Sequence, residues 1–346
     1  MSQVFIQKAG SASETVLPVP SGHRLHLADF GTRPQFLTKW ESIRYRQAHC
    51  AVECLAEAFG VFIFCYAGMG ATASYILGDI LKIPGIGSLL TIGLAYMAGI
   101  GLSLVIASGT SGGHFNPALT IVRVLFGKFP FWKGIRYIVA QILGGYVAAL
   151  MTYWQWKHLI QEAEGALAAA GLHELANFSV QGPAGIFTAY VNPASPLGLA
   201  WVNEFMVDFF IGLVTFACLD PTNLLAPPSL APWFVGLAYA VGIWSYSPNA
   251  LAANAARDVG GRLAVITIWG LKASGGRYAA IAALTNIPAT IVAYLVYEVL
   301  FVDSSRVVTH AHKELVDGHM AHEDHQMKTH LARLLSGAEE KGPVMA

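Results

Sequence analysis

Long apolar windows recur along the chain at roughly 50–71, 88–107, 131–154, 199–219, 229–247 and 278–302. Each approaches the about 20 residues that an α-helix needs to cross a bilayer core, so the pattern predicts an all-α membrane protein with six transmembrane helices. Between the second and third windows lies a shorter apolar piece that begins at Asn116, and between the fifth and sixth another that begins at Asn254. Both are too short to span. Just ahead of each, the helical pattern breaks, at Gly112, Gly113, His114 and Phe115 in the first case and at Ala250, Leu251, Ala252 and Ala253 in the second.

Three spans per half is an odd number, so the second half must enter the membrane from the opposite side. The expectation is two inverted repeats, each with a re-entrant half-helix, an arrangement that points to a permeation or binding site at the midplane. Glu57 precedes Asn116 much as Glu204 precedes Asn254, which supports the division.

Irregular backbone at membrane depth leaves polar groups that cost several kcal/mol in hydrocarbon, so it is tolerated only inside protein or along a wet cavity. Residues 112–115 and 250–253 are expected to run extended from opposite faces, presenting ladders of carbonyl acceptors. Asparagine is a good N-cap, and proline at the first helical position, as in Asn116-Pro117, sacrifices no helical hydrogen bond. Two half-helices with inward N-termini would bring two positive dipole ends and two amides to one point, where a cation meets the wrong sign. Ordinary capping of a kinked helix explains either asparagine alone; the pair together implies a polar path.

Composition agrees with a polytopic membrane protein, at 55% hydrophobic and 12% charged residues. The formal net charge is zero and no basic block stands out, so nucleic acid is not an expected partner. The four cysteines, Cys50, Cys54, Cys65 and Cys218, lie in or beside apolar segments and read as small core residues. The first 40 or so residues are polar and lack a basic region followed at once by an apolar run, so a cleavable signal peptide is not expected. The histidines His310, His312, His319, His322, His325 and His330 mark a solvated tail without a compact ligand set, so no metal and no cofactor are expected; control of the pore by their charge between pH 5 and 8 is an alternative. No nucleophile triad or phosphate loop suggests an enzyme.

Basic residues set the orientation. Lys39, Arg44 and Arg46 before the first span, with Arg123, Lys128, Lys133 and Arg136 around the loop after the second, put both termini in the cytoplasm, although Lys272 and Arg277 on the other side run against this. The connection from 157 to 198, with Glu162, Glu164, Glu174 and the Asn177-Phe178-Ser179 sequon, then lies outside.

The stretch SGGHFNPA from Ser111 and the stretch EAFGVFIFCYAGMG from Glu57 resemble two signatures of the aquaporins, also called the major intrinsic proteins. The resemblance covers about 50–302 and leaves the tails out. It implies a homotetramer in the lipid bilayer of the plasma membrane, each subunit with its own pore. It also divides the chain into a cytoplasmic N-terminal tail (1–49), a channel domain (50–302) and a cytoplasmic His-rich tail (303–346). Within the channel domain, repeat one covers about 50–156, the outer loop 157–198 and repeat two 199–302. The second motif departs from the family pattern, with Asn254-Ala255-Ala256 where Asn-Pro-Ala is usual, while the following Arg257 is kept. In the family, glutamates at the positions of Glu57 and Glu204 accept hydrogen bonds from the re-entrant backbone. Glu53 and Asp208 are less usual, since each puts a second carboxylate four residues away on the same helix face.

Counting from the two asparagines, the resemblance assigns the family's selectivity filter to Tyr96, Gly242, Leu251 and Arg257. Strict water pores carry histidine at the Gly242 position, and glycine there implies a wider pore. Arg257 would hold hydroxyls while Tyr96 and Leu251 offer an apolar wall to a carbon chain, the two faces of a linear polyol. Asp258 and Arg262 resemble the aspartate and basic residue of aquaglyceroporins, Pro288 and Ala289 resemble their proline and small residue, and Tyr153 is consistent with them. Spaced at i and i+4, Asp258 and Arg262 are expected to form a structural ion pair. The implied activity is a passive channel for glycerol and other small neutral solutes together with water, excluding ions and protons. A water-selective channel with little polyol flux is the alternative suggested by Leu251 and the altered motif. A proton-coupled secondary transporter using the intramembrane carboxylates is a remoter one.

Overall fold

The structure is a computed structural model. It describes residues 26–27, 33–45, 48–192, 194–246 and 251–339, with the side chains of 323, 326 and 328–339 left out. All regular elements among these residues are helical. In chain order the α-helices are α1 (Gln35–Arg44), α2 (His49–Ile80), α3 (Leu89–Ser111), α4 (Pro117–Phe126), α5 (Phe131–Ala169), α6 (His173–Ala176), α7 (Leu197–Leu219), α8 (Ala231–Tyr246), α9 (Ala255–Trp269), α10 (Tyr278–Leu284), α11 (Asn286–Leu300) and α12 (His310–Glu339), with short 3-10 turns at Pro183–Ile186 and Leu271–Ser274.

Five stretches are long and apolar enough to cross a membrane: α2, α3, α5, α7 and the nearly continuous Tyr278–Leu300. The sixth span is α8, with 16 described residues, about 24 Å at 1.5 Å per residue. The half-helices are α4 and α9, so the order span-span-half-span occurs twice, in α2 to α5 and in α7 to α11. The last span is broken between Leu284 and Asn286 because Pro288 has no N–H to donate four residues back. Helices α2 and α5 outrun their hydropathy windows, reaching Ile80 and Ala169. Hydropathy marks where lipid ends, whereas helix propensity carries Gln155 to Ala169 onward. The first third of the connection expected from 157 is therefore helix.

Local rules set the ends. Ser88 caps α3 in a reciprocal box, its hydroxyl accepting from Thr91 N at 3.2 Å while Thr91 Oγ1 accepts from Ser88 N at 2.8 Å. Small residues let the helices approach: a Cβ on Gly145 of α5 would lie 2.7 Å from Ala256 O, and one on Gly260 of α9 2.6 Å from Tyr146 N. Half-helix α9 is thus seated backbone to backbone against α5. Leu102, Val105, Ile106, Val139 and Leu199 are exposed, as lipid-facing residues of a membrane protein are.

The chain divides into two compact units, Cys50–His312 and a second made of Met1–His49 with Lys313–Ala346. In the second unit the His26 ring stacks on His325 with centroids 4.0 Å apart, and Tyr45 meets His322 edge-on at 5.7 Å. Among the described residues no group of three or more His, Cys, Asp or Glu side chains has the arrangement of a metal site. The sequon residue Asn177 is fully buried, with Nδ2 3.3 Å from Glu164 Oε1, and is not presented for glycosylation in the fold.

Candidate permeation site

The first break follows directly on α3. Gly112 ends the helix in the left-handed region at φ 90°, Gly113 follows at φ 66°, and Phe115 is left-handed too at φ 47°. The segment expected to run extended over residues 112–115 has no regular structure and is left-handed at three of its four residues. Glycine takes such angles freely; for phenylalanine the cost is about 1–2 kcal/mol. Phe115 is held there from two sides. Its ring lies over Gly60, where a Cβ would collide with it, and its N–H donates to Glu57 Oε2 at 2.8 Å. The same carboxylate accepts from His114 N (3.0 Å), Ser111 Oγ (2.7 Å) and Gln141 Nε2 (2.7 Å).

The second loop repeats this device with different residues. Ala250 lies outside the described residues, but Leu251 to Ala253 are seen. Ala253 is left-handed at φ 53°, and Asn254 N donates to Ala252 O at 2.7 Å. Glu204 accepts from Ala252 N at 2.9 Å, from Ala253 N at 3.4 Å and from the Tyr278 hydroxyl at 2.5 Å. In both repeats, therefore, the residue just before the asparagine is strained, non-glycine and fastened by a glutamate.

Each asparagine then caps its half-helix. Asn116 Oδ1 accepts from Ala118 N at 2.9 Å, and Asn254 Oδ1 from Ala256 N at 2.9 Å and Arg257 N at 3.1 Å. Ala255 in place of proline leaves the cap intact. The loops are tied together by Asn254 Nδ2, which donates to Phe115 O at 2.9 Å. The ladder carbonyls are consequently not all unpartnered: Phe115 O has this donor, Ala252 O has Asn254 N, and Ala253 O has Asn286 Nδ2 at 3.5 Å.

Beyond Asn254 lies a cavity of about 330 Å³, lined by Tyr96, Leu251, Ala252, Ala253, Asn254 and Arg257 together with Tyr239 of α8. Arg257 Nε donates to the Tyr96 hydroxyl at 3.1 Å, while Arg257 Nη1 is buried without a hydrogen-bond partner, 4.0 Å from Asp258 Oδ1. The Tyr96 ring fits over Gly68, where a Cβ would meet it. Gly242 does not line this cavity. A Cβ there would stand 2.8 Å from Val207 Cγ1 and 3.3 Å from Leu251 Cδ2, so the expected widening is corrected: neighbouring side chains take the space that glycine leaves.

The remaining candidates stand away from the cavity. Asp258 and Arg262 are paired at 2.6 Å, and Asp258 also accepts from Thr188 Oγ1 at 2.8 Å and Ala189 N at 2.9 Å, which clamps the connection before α7 onto α9. Tyr153 packs against Phe187 and Trp269, with centroids 6.2 and 5.8 Å away. Pro288 is exposed on α11 and Ala289 buried. Glu53 is offset by Lys133 Nζ at 2.7 Å. Asp208 is buried with Oδ1 unpartnered. The sequence did not single out Gln141, Tyr278, Asn286 or Tyr239, each a polar group inside an apolar span that no motif marks.

Two inverted repeats whose half-helices meet at a polar point beside a cavity define a membrane channel. The model of the major intrinsic protein family matches residues 44–273, and the chain belongs to that family. It is similar to "Aquaporin-3" of Laccaria bicolor, at 48% identity over 306 residues that span 88% of this chain and 93% of that one. Similarity to "Aquaglyceroporin-2" of Rhizophagus irregularis is 33% over 225 residues, 65% of this chain and 66% of that one. In fold it is similar to the X-ray structure of the aquaglyceroporin from Plasmodium falciparum, with a TM-score of 0.61 at 21% identity over 72% of this chain and 96% of that one. Membership makes the protein an integral membrane channel for water and small solutes, not an enzyme.

Proposed function

We propose that this channel passes glycerol and other small neutral solutes together with water and excludes ions and protons. The observation that carries the reading is the cavity beside Asn254, whose lining joins the cationic Arg257 to the Leu251 side chain and Tyr96. A hydroxylated carbon chain has one face for each. Arg257 and the two inward helix N-termini present positive potential to a cation, which supports ion exclusion. In this reading Tyr96, Leu251 and Arg257 select the solute, with Gly242 behind Leu251. Asn116 and Asn254 orient the solute at the midplane, and Glu57 and Glu204 hold the loops. The name of the Rhizophagus irregularis relative supports polyol passage. A homotetramer in the plasma membrane with both termini in the cytoplasm completes the proposal, resting on the family and on the distribution of basic residues.

A water channel with little polyol flux is the second reading, favoured by the Leu251 side chain that fills the space beside Gly242. Stopped-flow light scattering of proteoliposomes decides between them. Shrinkage in sorbitol reports water, and reswelling in glycerol reports the polyol. The proposal expects both to exceed protein-free vesicles several-fold; acceleration in sorbitol alone overturns it.

A further inference from the structure

Tyr239 lies on α8 one turn before Gly242, half-buried, with its hydroxyl 3.3 Å from Asn116 Nδ2 and also interacting with the Asn254 side chain. We propose that the Tyr239 phenol is a midplane plug: its oxygen takes the place of a permeating molecule between the two asparagines, and its removal from the axis sets the rate and size limit of permeation. The inference rests on the midplane roles proposed above for Asn116 and Asn254, and not on glycerol being the solute.

Three observations carry it. The asparagine amides are the donors that a polar permeant needs at this depth. Asn254 Nδ2 is engaged by Phe115 O and Asn116 Nδ2 by the phenol oxygen, so the hydroxyl competes directly with a water or polyol oxygen. The cavity that begins near Arg257 includes Tyr239 and Asn254 in its lining but neither Asn116 nor any of Gly112 to Phe115. Finally, the ring packs against the apolar side chains of Val207, Ile211, Ala238 and Ala253, and its hydroxyl accepts from Asn116, so the phenol oxygen is turned to the asparagines. At 3.3 Å from a neutral donor this is a weak hydrogen bond, one that a permeant oxygen can replace at little cost in free energy.

Proteoliposomes carrying wild type, Tyr239→Val, Tyr239→Leu or Tyr239→Phe at matched protein content test this. Size-exclusion profiles in detergent identify folded variants, and the leucine variant serves if the valine variant misfolds. Removing the ring is expected to raise osmotic water permeability at least about fivefold and to weaken its temperature dependence. The phenylalanine variant, which keeps the ring and loses the oxygen, is expected to fall between wild type and the ring-free variants. Folded ring-free variants within twofold of wild type for water overturn the plug. If they open to water but not to glycerol, the plug stands and the polyol proposal fails.

Discussion

At the scale of single residues, the site turns on Phe115 and Ala253, two non-glycine residues held left-handed just before the capping asparagines. Ala253→Gly relieves the strain at one of them and is expected to raise thermal stability in detergent by up to about 1 kcal/mol. Glu204→Gln turns one of the two oxygens that accept from Ala252, Ala253 and Tyr278 into an NH2 that donates, and is expected to cost about 1–3 kcal/mol; a thermal melt of both variants against wild type checks the opposite signs. Asn116, Asn254, Glu57 and Glu204 stood out as polar residues at corresponding places in two apolar halves, and Arg257 through its place after the second motif of the family it resembles. Phe115 gave no sign of its backbone, since phenylalanine is not a turn residue. Tyr239 was equally silent, because one tyrosine in an apolar span reads the same whether it faces lipid or the axis.

At the scale of elements, the six windows located the spans but not their ends. Tethers beyond the lipid are set by side chains that hydropathy ignores. Asp220, just past α7, shows this: Oδ1 accepts from Thr222 N at 2.8 Å and Thr222 Oγ1 at 2.7 Å, and Oδ2 from the Tyr297 hydroxyl of α11 at 3.0 Å. Burial pushes its carboxyl up, but these hydrogen bonds outweigh it and leave the group below the usual carboxylate range. A depressed value means that the tether stabilises the fold above about pH 4 and is lost as pH falls through the folded-state value. The melting temperature of wild type is therefore expected to exceed that of Asp220→Asn at pH 6, with the gap closing toward pH 3. A gap that persists to pH 3 would assign it to packing instead. The glycine contacts between α5 and α9 were not legible either, since glycine in an apolar window signals a close approach without naming the partner.

At the scale of the whole molecule, inverted repeats follow from an odd number of spans per half, and that parity was readable by counting windows. What counting could not supply were the contacts themselves: Asn254 reaching Phe115 O across the repeats, and Glu57 and Glu204 each fastening the loop of its own half. Together these join the two half-helices at one polar point and engage Glu57 and Glu204 with backbone amides, which favours a passive path over a proton-coupled one. The most direct test is uptake of labelled glycerol into proteoliposomes, followed to its plateau with and without an imposed pH gradient. A passive path predicts faster approach than in protein-free vesicles and an internal concentration that levels at the external one in both conditions. A plateau above the external concentration under the gradient, or an approach no faster than bare lipid, would contradict it.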